Sequence, residues 1–253
     1  MKKFKKSDIE IEKKRHNDHA HNYYRKILDN NLLDEDTPSF LTEVYQRYYK
    51  ALEEIKDNSL VLELGAGIGT HSRILGRKSC ELIALDISLT SLELNQSQSV
   101  SNSTFVCGDM SNIPFSSEKF DYVISCNSLS YGQPNIVDHE VSRVLKKGGT
   151  FIILDSLNVN PIYRINRYIK YLRGQRSKST LKAIPSFSRI NSYIKLFEGF
   201  EVSYFGSFYW LTAPLSKILP ISYSKNLDRL INKNKCNSFA FKFVLILKDK
   251  IIL

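Results

Sequence analysis

The stretch from Val61 to Ser72 restricts the fold of this chain most strongly, because an apolar run leads directly into glycines at positions 65, 67 and 69. A parallel strand must reverse sharply before its helix begins. Only residues without a Cβ atom tolerate that reversal together with a ligand lying against the backbone. The pattern therefore predicts a buried strand, a glycine-rich turn and a helix, with Gly65 and Gly67 facing a nucleotide-type cofactor. The spacing G-x-G-x-G differs from the G-x-G-x-x-G of dinucleotide sites, which argues against NAD.

Four further apolar runs follow the glycine turn. The first, 81–86, ends in Asp86 about 20 residues after the first glycine, where a carboxylate can accept hydrogen bonds from both ribose hydroxyls. The others are 104–110, 120–127 and 150–155, and a helix is predicted at 137–145. Alternating strands and helices predict a parallel, doubly wound α/β sheet, in which ligands bind outside the carboxyl ends of the strands.

Five short sequences, taken in order, resemble the class I S-adenosylmethionine-dependent methyltransferases of the methyltransferase type 11 kind. They are ELGAGIGT, ALD, GDMSNIPF, FDYVISCNSLSY and LKKGGTFIILD. The resemblance spans Leu60 to Asp155. It implies S-adenosyl-L-methionine as the cofactor and an α/β fold with a doubly wound, Rossmann-like, seven-stranded sheet whose C-terminal strand is antiparallel. The last two strands are predicted at 201–205 and 239–248.

Carried over by position, the resemblance also implies which residues bind the cofactor. Glu63, Gly65 and Gly67 would hold the methionine end, and Asp86 would bind the ribose. The remaining assignments are Asp109 with the Met110 backbone at the adenine, and Cys126 with Asn127 beside the sulfonium.

The catalytic base stays open, because the loop Asn127–Tyr131 lacks the histidine that relatives carry there. His71 and Tyr131 are the candidate catalytic residues, although a histidine at position 71 is more often a solvated helix residue than a base. Ser128 and Ser130 are predicted to face the acceptor. Tyr23 is predicted either to close over the cofactor as part of a lid or to pack in the core.

No metal site is predicted, although His16, His19 and His21 form an H-x-x-H-x-H pattern. The charges around them are typical of an exposed helix, and the family needs no metal. The four cysteines show no C-x-x-C spacing, which suits a reducing cytoplasm. The amino terminus has no apolar signal region, and no run approaches the roughly 18 apolar residues of a membrane span. We therefore expect a cytoplasmic protein, with peripheral contact at the inner membrane face as the alternative.

The domain organisation follows from the strands and from the charge. We expect a charged, helical N-terminal lid over 1–56 and a methyltransferase domain over 57–253. Insertions are predicted after strand five, at 157–190, and after strand six, at 207–236. The net charge of +10 is concentrated in residues 155–253, which hold 17 Lys and Arg against 5 Asp and Glu.

Within this basic part, Asn160–Arg173 is predicted to be a basic amphipathic helix. Together with the apolar segment 210–221 it would form an acceptor pocket or lie on an anionic membrane, with an ordinary solvated face as the alternative.

Three short strings, at 165–168, 179–181 and 240–244, resemble methyltransferases found with bacterial surface-polysaccharide pathways. That resemblance implies an acceptor sugar on a nucleotide or on a lipid-linked pyrophosphate carrier, whose anionic group would attract Arg164 and Arg167, together with Arg173 and Arg176. A different small-molecule acceptor remains open. The rival predictions are an RNA methyltransferase, suggested by the basic charge, and a catalytically silent protein that only binds the cofactor. The sequence predicts no oligomeric state.

Overall fold

The protein is built on a seven-stranded sheet with the strand order β3-β2-β1-β4-β5-β7-β6. The computed structural model describes residues 7–8, 10–14, 39–98, 102–207 and 237–251. The strands are β1 (Leu60–Leu64), β2 (Glu81–Asp86), β3 (Ser103–Cys107), β4 (Phe120–Cys126), β5 (Leu145–Ser156), β6 (Phe197–Phe205) and β7 (Lys242–Lys250). Strands β1 to β5 are parallel, whereas β7 is antiparallel to both β5 and β6. The predicted α/β sheet with an antiparallel C-terminal strand is confirmed.

In the described residues from Ser39 onwards, the α-helices are α1 (Ser39–Glu53), α2 (Ser72–Leu75), α3 (Leu89–Gln96), α4 (Pro134–Val144), α5 (Pro161–Leu172), α6 (Lys178–Ala183) and α7 (Phe187–Ile194). Local chemistry explains where several of them begin. The side chain of Ser88 accepts a hydrogen bond from Ser91 N at the start of α3, and the Asn160 side chain does the same for Tyr163 N at the start of α5. Both α4 and α5 also carry proline in their first turn, where the missing N–H costs no hydrogen bond.

The two faces of the sheet are covered by different helices, as a doubly wound fold requires. Helices α4 and α7 cover one face, where Val141 and Ile190 are buried. Helix α1 covers the other face and buries Val44, Tyr48 and Leu52. This helix, which the sequence prediction included in the N-terminal lid, is thus part of the hydrophobic core. The lid prediction for the residues before it concerns positions mostly outside the described ranges, Tyr23 among them.

The connection from β5 to β6 contains α5, α6 and α7, and α7 continues beyond the end of the insertion predicted at 157–190. A buried Glu12, in a short helical stretch at 10–14, accepts hydrogen bonds from Ser177 N and Thr180 Oγ1 at the start of α6. The second predicted insertion, 207–236, lies outside the described residues except for Ser207. None of the helices in the described ranges combines the length and the apolar character needed to span a bilayer.

Candidate functional site

The glycine turn after β1 has the backbone geometry that its sequence predicts. Gly65, Gly67 and Gly69 all have positive φ angles, of +67°, +54° and +86°. A Cβ atom on Gly65 would lie 2.4 Å from Ser128 Cβ, and one on Gly69 would lie 2.0 Å from Asn95 Oδ1. A Cβ atom on Gly67 would meet nothing within 4 Å, so this glycine borders open space. Gly65 and Gly69 are required by packing, and Gly67 leaves room for a ligand.

Beneath the turn, Glu63 is buried and tied to the helix that follows the glycines. Ser72 Oγ donates to Glu63 Oε2 at 2.5 Å, and Asn95 Nδ2 donates to Ser72 Oγ at 3.0 Å. Burial raises the pKa of Glu63 to about 7; the hydrogen bond from Ser72 opposes this shift, and the charge of Asp86 adds to it. A carboxyl group held at such a pKa is well suited to respond to a nearby cation, whose charge would favour ionisation.

Asp86 stands at the carboxyl end of β2, next to the glycine turn. Its Oδ2 accepts from Gly67 N at 2.8 Å, and its Oδ1 accepts from Ser88 N at 2.8 Å. Burial raises the pKa of this carboxyl, and the backbone hydrogen bonds from Ser88 and Gly67 counteract the rise. The side chain is half-buried, and each oxygen has a further lone pair for a hydroxyl donor.

Asp109 and Met110 follow β3 on the same edge of the sheet. Asp109 Oδ1 accepts from Ser111 N at 2.8 Å, which fixes the turn. Met110 Cε would lie 3.7 Å from a Cβ atom on Gly65, and Met110 Cγ would lie 3.0 Å from one on Gly132. Met110 therefore connects the glycine turn with the loop that follows β4.

The end of β4 carries the residues predicted beside the sulfonium and the acceptor. Asn127 has a positive φ of +57°, and its Nδ2 donates to Tyr45 OH and to Cys126 Sγ, both at 3.3 Å. Burial raises the pKa of the Cys126 thiol, so this cysteine stays protonated at neutral pH. Ser128 Oγ donates to Leu64 O at 2.7 Å and lies 2.7 Å from Ser125 Oγ.

Ser128 thus joins β4 to β1, and a contact between Ser128 and an acceptor stays a prediction. Ser130 is buried in the 3-10 turn Leu129–Tyr131, and Tyr131 is half-buried at its end.

Comparison with known proteins agrees with this geometry. A family model described as a methyltransferase domain matches residues 62–153. A demethylmenaquinone methyltransferase of Paenarthrobacter aurescens is 29% identical over 153 residues, which cover 58% of this chain and 55% of that protein, so the chain spans little more than half of its length. An uncharacterized protein of Methanocaldococcus jannaschii is 29% identical over 201 residues, covering 71% of this chain and 76% of the relative.

Among solved structures, one from the complex of the Haloferax volcanii Trm112 methyltransferase activator with a proposed methyltransferase has a TM-score of 0.63. The two share 14% identity over 93% of this chain and 98% of that one. Residues 62–153 therefore form a methyltransferase domain, and its fold is that of the class I S-adenosylmethionine-dependent methyltransferases. Its cofactor is S-adenosylmethionine, and the matched residues 62–153 include every position that we predicted to bind it.

The cofactor fits the residues present in this methyltransferase. Gly67 borders open space, and the buried Glu63 lies under the glycine turn. Asp86 lies about 20 residues after the first glycine, where a ribose ligand is expected, and its oxygens have lone pairs left for the ribose hydroxyls. The individual roles of these residues stay predictions.

His71, the first candidate base, lies against three tyrosines of α1. The imidazole ring centroid is 5.9 Å from that of Tyr45, 5.6 Å from Tyr48 and 5.8 Å from Tyr49. Burial lowers the pKa of His71 to about 4, so the ring is neutral at pH 7. Its Nδ1 is buried and has no hydrogen-bond partner among the described residues. His71 is thus a half-buried aromatic neighbour of the glycine turn, packed against α1, rather than a solvated helix residue.

A buried polar cluster extends the site beyond the end of β5. Lys242, on β7, donates from Nζ to Asn127 Oδ1 and, at 3.3 Å, to Ser156 Oγ. Ser156 Oγ lies 3.4 Å from Tyr163 OH, to which Arg167 Nη2 donates. We call these five residues, Asn127, Ser156, Tyr163, Arg167 and Lys242, the polar relay.

Asp155 borders the polar relay and carries the opposite charge. Its carboxylate accepts from Leu129 N at 3.1 Å and from Ser156 N at 2.6 Å. Burial raises the pKa of Asp155, and the positive charge of Lys242 opposes that rise. Burial likewise lowers the pKa values of Lys242 and Arg167.

The structure separates the two arginines that we predicted to bind the acceptor. Arg167 is 6% exposed and belongs to the polar relay, whereas Arg164 is exposed on the outer surface of the same helix. Sequence reasoning missed Lys242 and Asp155. The signals were present, since Lys242 is a lysine inside an apolar strand and Asp155 ends a parallel strand at the ligand-binding edge.

The loop after β4 is fixed to the insertion by a buried ion pair. Arg189 Nη2 lies 2.6 Å from Asp138 Oδ1, and Arg189 Nη1 also donates to Leu129 O at 3.3 Å and to Ala183 O at 3.2 Å. Tyr193 OH donates to the same carboxylate. Arg189 therefore connects α7 with α4 and with the 3-10 turn Leu129–Tyr131.

Proposed function

We propose that this protein transfers the methyl group of S-adenosylmethionine to a small-molecule acceptor at the carboxyl ends of β4 and β5, and that the acceptor is a sugar on a nucleotide or a lipid-linked carrier. The proposal depends chiefly on helix α5, whose two faces serve different purposes. Its inner face contributes Tyr163 and Arg167 to the polar relay. Its outer face is apolar and basic, and it is exposed.

The outer face of α5 has the pattern of a helix that lies on a membrane surface. Ile162, Ile165, Ile169 and Leu172 recur at helical spacing and are all exposed, Leu172 by 65%. The exposed Arg164 stands among them, with Lys170 near the end of the helix and Arg173 directly after it. An exposed apolar stripe flanked by basic residues favours contact with an anionic lipid surface, where each basic residue contributes about 1 kcal/mol.

On the cofactor side, we assign the methionine end to Glu63, Gly65 and Gly67 and the ribose to Asp86. We assign the adenine to Asp109 and Met110, and the surroundings of the sulfonium to Cys126 and Asn127. When bound, the cofactor supplies an electrophilic methyl group, so that an acceptor atom bonds to the methyl carbon while the carbon–sulfur bond breaks and the sulfur keeps the electron pair.

The protein's part is then to position the acceptor in line with the methyl group and to exclude water. An alcohol acceptor also needs a base for its proton, and His71 and Tyr131 remain the candidates. The neutral imidazole of His71 has a free lone pair at pH 7, which a base requires, but its lowered pKa makes it a weak base. Ser128 and Ser130 would border the acceptor.

The test uses purified protein, methyl-labelled cofactor and a cell extract of the source organism, separated afterwards into lipid, water-soluble, RNA and protein fractions. Label in the lipid or nucleotide-sugar fraction supports the proposal. Label confined to RNA favours an RNA methyltransferase, which the basic charge of residues 155–253 makes the second candidate. Tight cofactor binding without any labelled product favours a silent binding protein.

Membrane contact is tested separately by sedimentation with lipid vesicles. We expect binding to vesicles that contain phosphatidylglycerol and little binding to pure phosphatidylcholine. Leu172→Ser should weaken binding, whereas Phe200→Ser, which changes a 51% exposed aromatic residue on β6, should not. Equal binding by both variants and the parent protein would exclude the outer face of α5 as the contact.

A further inference from the structure

The polar relay carries more positive charge than its own residues neutralise. Lys242 and Arg167 are 7% and 6% exposed, and Asp155, at 2%, is the carboxylate that borders them. Asp155 already accepts two backbone hydrogen bonds, from Leu129 N and Ser156 N. Among the described residues, two buried cations therefore face one buried carboxylate, which leaves an excess of one positive charge in this part of the structure.

Arg167 also has donors that nothing in the described part of the chain accepts. Its Nη2 donates to Tyr163 OH, but its Nε and Nη1 are buried without a hydrogen-bond partner among the described residues. Those two atoms carry three N–H groups. Burying a guanidinium with three unused donors is costly, unless a ligand accepts from them.

The guanidinium is nevertheless held in one place. Its Cζ lies 3.8 Å from the ring centroid of Tyr163, and Tyr163 in turn packs edge-on against Phe241. Asn160 fixes this part of α5, because its Oδ1 accepts from Tyr163 N at 3.1 Å and its Nδ2 donates to Phe239 O at 2.9 Å. Arg167 is thus prepared for a ligand before the ligand arrives, which reduces the entropic cost of binding.

We propose that Arg167 and Lys242 form a built anion site for the acceptor, which binds a phosphate or carboxylate group of the molecule to be methylated. The inference rests on the proposed function, since it assumes that the acceptor enters beside Asn127. Lys242 donates to that residue directly, so the anionic group would be held within the reach of one small molecule from the methyl group. An acceptor of this kind is an anionic metabolite or a carrier-bound sugar, and a neutral acceptor would leave the charge of Arg167 unbalanced.

The experiment uses protein saturated with S-adenosylhomocysteine, titrated by calorimetry with inorganic phosphate and, separately, with acetate. Arg167→Gln is compared with Arg77→Gln, which removes the same charge from an exposed position away from the relay. We expect the parent protein and Arg77→Gln to bind at least one of the two anions with equal affinity. Arg167→Gln should bind it roughly ten- to hundred-fold more weakly, as expected for the loss of a charged hydrogen-bond donor.

The relative affinities for phosphate and acetate distinguish the chemical class of the acceptor. Binding of S-adenosylhomocysteine distinguishes a failure of the anion site from a failure of the proposed function. Preference for phosphate indicates a phosphorylated acceptor, and preference for acetate indicates a carboxylated one. Lys242→Gln, checked for folding by its thermal transition, should weaken the same anion. Intact binding of S-adenosylhomocysteine with no anion binding by the parent protein would overturn the anion site alone. Failure to bind S-adenosylhomocysteine would overturn the proposed function instead.

Discussion

The buried Glu63 predicts that cofactor binding depends on pH. Burial raises the pKa of Glu63 to about 7, so at pH 5.5 almost all of the free protein carries a protonated carboxyl. If Glu63 pairs with the amino group of the cofactor, binding requires the ionised form and lowers its pKa towards the ordinary value of about 4.5. Affinity should therefore rise with pH, and a proton should be released on binding below pH 7.

The size of the effect follows from these two pKa values. Taking about 7 for the free protein and about 4.5 for the complex, the affinity for S-adenosylhomocysteine should increase about 20-fold between pH 5.5 and pH 7.5, or about 1.8 kcal/mol. Glu63→Gln should bind as weakly as the parent protein does at pH 5.5, and its affinity should stay flat. Calorimetry in two buffers of different ionisation enthalpy would measure both the affinity and the proton released.

Glu81→Gln, which alters an exposed carboxyl at the start of β2, serves as the matched control and should keep the full pH dependence. A flat profile for the parent protein, or a slope that persists in Glu63→Gln, would refute the reasoning.

Binding is a better readout than stability here. The raised pKa of Glu63 destabilises the fold as pH rises from about 4.5 to about 7, whereas the lowered pKa of His71 destabilises it as pH falls from about 6.5 to about 4. The two effects on the free energy of unfolding oppose each other between pH 4.5 and pH 6.5, so a stability measurement would not isolate Glu63.

Three further predictions concern the remaining parts of the site. Asp86→Asn should weaken S-adenosylhomocysteine binding roughly ten- to hundred-fold, because it removes a charged acceptor, while the circular dichroism spectrum stays unchanged; unaltered affinity would contradict the ribose assignment. Gly69→Ala should lower the free energy of unfolding by about 1 to 3 kcal/mol in urea denaturation, because the new Cβ would meet Asn95 Oδ1 at 2.0 Å and φ is +86°. The control Gly148→Ala has a positive φ but open space around its Cβ, so it should lower the free energy of unfolding by less. Asp138→Ala should destabilise the fold by about 3 kcal/mol, because it leaves the buried charge of Arg189 unpaired, and a thermal transition equal to that of the parent protein would show that this ion pair is not needed.

The local geometry of the residues assigned to the cofactor could be predicted from the sequence, because each of them lies at the end of a strand or in a tight turn. The glycine turn, the acid at the end of β2 and the residues after β3 each lie within a few residues of the strand that positions them. The packing role of Gly65 could not be predicted from the sequence. The atom that leaves no room for a Cβ at this position, Ser128 Cβ, lies in a loop 63 positions downstream.

The acceptor half could be predicted only in part, because it joins residues that are far apart in the chain. Arg167 was a candidate on the same grounds as Arg164, and only the rotation of α5 about its axis distinguishes the two side chains. Lys242 and Ser156 lie 86 residues apart and meet because β7 pairs with β5. The prediction for His71 favoured a solvated helix residue, because the tyrosines that pack against it belong to α1, which we had assigned to a lid.

The position of β7 between β5 and β6 has a consequence for how the protein is made. This strand leaves the ribosome after all the others, yet it must insert between two strands and hydrogen-bond with both. The glycine turn and Asp86 can be in place while β7 is still being translated, whereas Lys242 can meet Asn127 only after β7 has been made. A nascent chain would thus be able to hold cofactor before it could hold an acceptor.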